Sequence, residues 1–204
     1  LGYFAAGESL TGGANTDNIT LTNATTVDFT TGTLNTIEVL NGSTGIDIVT
    51  MSGTQLNSFT TLLFNGGTDT LNITSTSTGL NALSDGSITG LEIISAATAG
   101  AGVTISLASQ TEAFTIIGSN NADTITGGTG ADIITGGTGA DIINGGNGND
   151  TINLANGDFA AGESLTGGAN TDNITLTNAT TVDFTTGTLS TIETLNGSTG
   201  NDTV

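Results

Sequence analysis

The chain has no lysine, no arginine and no histidine, so none of its 204 residues carries a cationic side chain. Its 13 aspartates and 6 glutamates give a formal net charge of −19, and its side chains can form no salt bridge with one another. Nucleic acid is excluded as a partner, because phosphate recognition needs Lys or Arg. An anionic membrane surface repels such a chain. Cysteine is absent, which rules out disulfides, and without lysine there is no Lys–Asn isopeptide bond either. Thin-cored extracellular domains usually lean on such staples or on metal ions, and only the metal remains. Proline and tryptophan are absent, and the one tyrosine is Tyr3. High net charge with few aromatics is a mark of disorder, but a hydrophobic content of 35% in short alternating strings argues for a packed core. No run of 18 apolar residues is present, so no membrane-spanning helix and no membrane insertion are expected. No signal peptide is visible. Without His, Lys, Arg or Cys the usual acid, base and nucleophile roles are vacant. Carboxylate pairs can hydrolyse glycosides, but no aromatic platform for a sugar accompanies them. The expectation is a non-enzymatic chain whose partner is a cation.

What the chain does have is repetition, the first signal to seek in an unknown sequence. Residues 4–49 and 159–204 are copies that differ at only four of 46 positions: Asn35/Ser190, Val39/Thr194, Ile46/Asn201 and Ile48/Thr203. The offset of 155 residues implies one full unit plus 49 residues of the next, as in a window on a longer tandem array. A shorter period lies inside it. GGTGADIIT (127–135), GGTGADIIN (136–144) and GGNGNDTIN (145–153) are nonapeptides, with GSNNADTIT (118–126) a worn copy. Weaker echoes are GGANTDNIT at 12–20 and 167–175, GSTGIDIVT at 42–50, GSTGNDTV at 197–204 and NGGTDTLNI at 65–73. The tandem copies at 118–153 resemble the RTX family, with its hemolysin-type calcium-binding repeats. That resemblance implies a parallel β-roll with several calcium ions in its turns.

The physical chemistry of the repeat agrees. Glycine supplies the positive φ of a tight turn and lets carbonyls approach an ion, and Asp offers the hard oxygen that calcium prefers in a shell of six to eight. The triplet after each Asp forms a short strand with its middle side chain turned inward, here Ile125, Ile134, Ile143 and Ile152. Two nonapeptides make one coil, so Asp123 stacks on Asp141 and Asp132 on Asp150. Carboxylates ~5 Å apart repel by ~3 kcal/mol at an effective dielectric of ~20, and a divalent ion between them reverses the sign. The expected ligands are Asp123, Asp132, Asp141 and Asp150, with Asn121 and the turn glycines Gly128, Gly130, Gly137, Gly139, Gly146 and Gly148. Asp17, Asp47, Asp69, Asp172 and Asp202 occupy the echoes and form a second tier. Asp28, Asp85, Asp158, Asp183 and all six glutamates read as solvated surface. Glu38 in particular lies outside any glycine-rich turn.

The fold expected is all-β, a parallel β-solenoid or calcium-binding β-roll with irregular inserted loops. Four segments are anticipated: 1–49, the first tandem pattern; 50–117, irregular solenoid coils; 118–153, the β-roll; and 154–204, the start of the next unit. Residues 80–85 suggest a single helical turn. The 44 threonines suit strands on a wet face. The alternating stretch at 70–78 raises an ice-binding array, but it does not recur at coil spacing. Ile133 and Ile142 fall at an outward position, either beneath a covering loop or as contacts to a neighbour. These features, and a texture shared with surface-layer proteins and giant adhesins, point to a calcium-stabilised structural segment of an extracellular bacterial surface filament, surface layer or adhesin. Export without a cleaved signal peptide and assembly with copies of itself, in tandem or end to end, are expected. The alternative is a calcium-folding export module of a secreted RTX enzyme or toxin whose active domain lies elsewhere.

Overall fold

The computed structural model describes residues 4–204, and Tyr3 lies outside the described residues. The chain divides into two compact units, one ending at Thr98 and the other running from Ala99 to Val204. Both are parallel β-solenoids with almost no helix.

The first unit contains β1 (Ser9–Thr11), β2 (Asn18–Thr20), β3 (Thr26–Asp28), β4 (Thr33–Asn35), β5 (Val39–Asn41) and β6 (Ile48–Met51). These are followed by α1 (Gly53–Leu56), β7 (Thr61–Leu63), β8 (Thr70–Ile73), β9 (Ile88–Thr89) and β10 (Ile93–Ser95). Strands β2, β5, β7 and β9 form one parallel sheet, and β3, β6, β8 and β10 line up in a second. Strand β1 pairs with β4. Each strand carries few residues because a single apolar side chain per strand suffices to fill a narrow interior. Val27, Val49 and Leu71 stack in register in one sheet, Leu40 and Leu62 in the other, and all are buried.

The second unit holds β11 (Thr104–Ser106), β12 (Thr115–Ile117), β13 (Thr124–Thr126), β14 (Ile133–Thr135) and β15 (Ile142–Asn147). It continues with β16 (Thr151–Leu154), β17 (Ser164–Ala169), β18 (Asn173–Leu176), β19 (Thr188–Ser190) and β20 (Thr194–Asn196). The odd-numbered strands form one sheet and the even-numbered strands the other. Ile125 pairs with Ile143, and Ile134 with Ile152, eighteen residues on in each case. All four are buried, as the nonapeptide pattern requires. Ile143 next meets Leu165, and Ile152 meets Ile174, across longer coils of 22 residues.

Ile133 and Ile142 do face outward, at 44% and 54% exposure. They lie on β14 and β15, which belong to different sheets. Ile133 is flanked by Thr115 and Thr151, and Ile142 by Thr124 and Ser164, so they form no shared apolar patch.

The helical turn expected near residue 80 is present as a 3-10 turn, Leu80–Ala82. Helix α1 was not anticipated. Its signal is the capping box: Ser52 Oγ accepts from the Gln55 N–H, and Gln55 Oε1 accepts from the Ser52 N–H. The Gln55 side chain also donates to the carbonyls of Phe29 (2.5 Å) and Gly32 (3.0 Å), which ties α1 to the coil before it.

The two 46-residue copies share most of their strands, but the strand Thr26–Asp28 is reduced to an isolated bridge at Thr181 and a 3-10 turn forms at Phe184–Thr186 in the second copy. Phe4 meets Phe29 edge to face with ring centroids 5.0 Å apart, and Phe159 meets Phe184 at 4.9 Å. Their surroundings differ. Leu34 and Leu40 are 6% and 0% exposed under the coil that follows them, whereas Leu189 and Leu195 are 40% and 44% exposed.

Candidate metal centre

The turns are stitched together by carboxylates. In the second unit, Asp132 Oδ1 accepts the Phe114 N–H (2.7 Å), Asp150 Oδ1 the Asp132 N–H (2.8 Å) and Asp172 Oδ1 the Asp150 N–H (2.8 Å). Glu193 Oε2 then accepts the Asp172 N–H (2.8 Å). A second column runs from the Val103 N–H to Asp123 Oδ1 (2.6 Å), from the Asp123 N–H to Asp141 Oδ1 (2.8 Å) and from the Asp141 N–H to Glu163 Oε2 (3.0 Å). The first unit repeats the device. Asp47 caps Thr25 (2.8 Å), Asp69 caps Asp47 (2.6 Å), Glu92 caps Asp69 (2.8 Å) and Glu38 caps Asp17 (2.9 Å). Asp202 caps Thr180 at 3.0 Å. The stacking of Asp123 with Asp141 and of Asp132 with Asp150 is therefore as expected. Each step, however, joins a carboxylate to a main-chain N–H, which lies between successive carboxylates and offsets part of their repulsion.

The second carboxylate oxygen sorts the turns into two kinds. In four turns the residue four positions earlier lies outside the positive-φ region and its N–H donates to Oδ2. This holds for Ser43 to Asp47 (2.6 Å), Ser119 to Asp123 (2.6 Å), Gly128 to Asp132 (2.8 Å) and Ser198 to Asp202 (2.7 Å). Gly137 and Gly146 instead sit at φ +97° and +112°, a region that an L side chain enters at a cost. There the N–H makes no bond to the carboxylate, and Oδ2 of Asp141 and of Asp150 is buried without a hydrogen-bond partner. The same holds for Asp17 and Asp172, which follow Gly13 and Gly168, both at φ +122°. The second left-handed position of these turns is Gly139 (φ +139°), Gly148 (φ +117°), Asn15 (φ +76°) or Asn170 (φ +88°). Asn tolerates that conformation better than other non-glycine residues, which is why GGANTD builds the same turn as GGTGAD at 136–141. Asp69 Oδ2 is also unpartnered, in a turn where Gly67 has φ +128°.

Several expectations need correction. The six repeat glycines do not act alike, since Gly128 and Gly130 are outside the left-handed region. The Asn121 amide is turned to Ser119 Oγ at 3.4 Å. Glu163 and Asp158, expected on the surface, are buried, and Asp158 Oδ2 accepts the Ala155 N–H at 2.6 Å. Glu38 and Glu92 are half-buried rungs of the columns, while Glu193 is exposed as expected and still accepts the Asp172 N–H. Asp28 and Asp183 are exposed as expected. Sequence reasoning missed the glutamates because they lie outside glycine-rich turns. Their shared signal is position, since each follows its Asp by 21 to 23 residues.

Burial sets the electrostatics. It pushes the carboxyl groups of Asp141 and Asp150 up to about 6 and that of Glu163 to about 7, against the lowering effect of the N–H bonds they accept. Burial also raises Asp69, Asp132 and Asp172. At Asp202 burial acts upward too, but hydrogen bonds from Thr180 and Ser198 outweigh it and hold the group below its ordinary value. The Thr185 hydroxyl and N–H lower exposed Asp183.

Among the described residues no three His, Cys, Asp or Glu side chains converge into a metal cluster. A cation in these turns therefore takes at most two carboxylates and draws its other ligands from main-chain carbonyls and water. The turns fit such an ion. The donors are all hard oxygens, and five aspartates, Asp17, Asp69, Asp141, Asp150 and Asp172, present a buried oxygen with no partner. A Cβ on Gly137 or Gly146 would collide with the carbonyl oxygen of Ser119 or Gly128 in the adjacent coil.

A parallel β-solenoid with stacked, carboxylate-bearing, glycine-rich turns defines the class of this protein. The profile of the RTX calcium-binding nonapeptide repeat matches it in four copies, over residues 117–152 and 189–204. Over those residues the chain carries RTX-type calcium-binding nonapeptide repeats. The second matched segment includes Asp202, in what the sequence pattern alone marks as a weaker echo. No curated protein and no solved structure matches the chain.

Proposed function

We propose that the chain is a calcium-stabilised, non-catalytic structural segment of a secreted bacterial surface filament, surface layer or adhesin. The observation that carries this reading is the set of buried carboxylate columns in a sequence with no cationic side chain. Buried charge needs a countercharge, and only an ion from outside or a proton can supply it. Metal binding to such turns is folding energy. Millimolar calcium outside a cell holds the coils together, whereas a calcium-poor cytosol leaves the chain unfolded until export. The near-identical 46-residue copies, 155 residues apart, support a repetitive, extended architecture. Tandem or end-to-end stacking of such units is the assembly that geometry favours.

Circular dichroism in calcium and in chelator tests the reading. A β spectrum should appear on adding millimolar calcium and vanish on chelation, and an unchanged β spectrum in chelator would refute it. Negative-stain microscopy of a chain with several 155-residue units should show thin fibres or sheets that disperse on chelation. Compact particles at every calcium concentration would count against the filament.

A further inference from the structure

Four rungs of the carboxylate columns pair an Asp with a Glu one coil later: Asp17 with Glu38, Asp69 with Glu92, Asp141 with Glu163 and Asp172 with Glu193. In every one of them Glu Oε2 takes the Asp N–H, and the Asp Oδ2 is buried without a partner. None of the four glutamates belongs to a nonapeptide, and two of the rungs lie in the first unit, outside the segments matched to the repeat profile.

The Asp141–Glu163 rung is the most enclosed. Both side chains are at least 99% buried. Asp141 Oδ2 and Glu163 Oε1 both lack a hydrogen-bond partner. Buried Asp158 interacts electrostatically with both residues and raises both carboxyl groups. Its own Oδ2 is held by the Ala155 N–H, and the Asp158 N–H bonds back to the Ala155 carbonyl. The whole sequence contains no side chain that could neutralise these carboxylates. A buried charged group left without its hydrogen bond is costly, so two orphaned oxygens together disfavour an empty form.

We infer that the Asp–Glu rung is a calcium site that reaches beyond the nonapeptide motif, in which Asp141 Oδ2 of the repeat and Glu163 Oε1 from outside it ligate a hard divalent cation. The inference rests on the calcium reading proposed above and extends it to glutamates. Main-chain carbonyls and water complete the shell, and Asp158 adds negative potential beside it. Glu163 closes the 22-residue coil whose inserted loop, 155–163, interrupts the nonapeptide period. Calcium then stabilises coils on both sides of the β-roll, by the same device.

Equilibrium dialysis with radioactive calcium counts ions per chain for the 204-residue protein, Glu163→Gln and Asp150→Asn, with circular dichroism confirming the fold at saturating calcium. Glu163→Gln is expected to bind one ion fewer than the parent. If Asp150→Asn loses an ion and Glu163→Gln loses none, this inference is overturned and the nonapeptide sites stand. If neither loses an ion, both readings fall. A Glu163→Gln chain that is more stable without calcium yet binds the full number of ions identifies a rung held by a proton, and overturns the inference. Should Glu163→Gln not fold, Glu163→Asp keeps the charge one methylene short. A lost or weakened ion then supports the site, and a full count at parental affinity overturns it.

Discussion

At the scale of single residues, one backbone angle decides what a carboxylate can do. In the turn before Asp132 an ordinary φ at Gly128 aims its N–H at Oδ2, and the side chain is fully occupied. In the turn before Asp150 the left-handed Gly146 withholds that N–H, and the oxygen is left for another partner. Gly146→Ala should therefore be costly twice over. A left-handed non-glycine residue costs ~1–2 kcal/mol, and the new Cβ would strike the Gly128 carbonyl oxygen. Gly100→Ala is the control, because a Cβ there meets nothing within 4 Å, and a neutral surface change stays within ~0.5 kcal/mol. Thermal melts in calcium should show a clear drop for Gly146→Ala and almost none for Gly100→Ala. Equal melting temperatures would contradict the role given to the left-handed turn.

At the scale of the strand and coil, inward and outward positions of one nonapeptide should behave in opposite ways. Ile134 is completely buried between Ile116 and Ile152, whereas its neighbour Ile133 is exposed among threonines. Ile134→Ala should cost ~2–5 kcal/mol by lost burial and a cavity, and Ile133→Thr less than ~0.5 kcal/mol. Denaturant unfolding in calcium checks the pair; similar losses would mean the inward face is misassigned. This level was the most legible in the sequence. The period of nine fixed the inward isoleucines, the eighteen-residue coil and the stacking of Asp123 with Asp141. Legibility failed where the coil lengthens to 21–23 residues. There some rungs are filled by Asp47, Asp69, Asp172 or Asp202 and others by Glu163, Glu92, Glu38 or Glu193, and no short motif marks the glutamates, whose partners lie a full coil away. Helix α1 was missed for another reason. Its four residues give no periodicity, and only the capping box of Ser52 and Gln55 announces it.

At the scale of the whole molecule, protons and calcium should act as substitutes for each other. The folded, calcium-free chain holds protons at Asp141 and Asp150 up to about 6 and at Glu163 up to about 7, higher than the ~4 of a free carboxyl group. The folded state thus binds more protons than the unfolded one. Their contribution to stability is full below about pH 4 and is lost as pH rises through 6 and 7. In calcium-depleted buffer the chain should melt higher at about pH 4.5 than at about pH 7.5, and excess calcium should narrow or reverse that difference. Identical melting curves at both values without calcium would show that the buried carboxylates do not limit stability. A last consequence concerns mechanical load. The ladder hydrogen bonds, and the carboxylate-to-N–H rungs beside them, all join one coil to the next. Tension along the stacking direction therefore loads the joints in series, and the weakest gives way alone while the rest hold. Each coil that peels off releases 18 to 22 residues, or ~60–75 Å of slack at ~3.4 Å per residue. A stack built this way lengthens in steps under a pull and need not fail in a single break, with calcium setting the force at which each step begins.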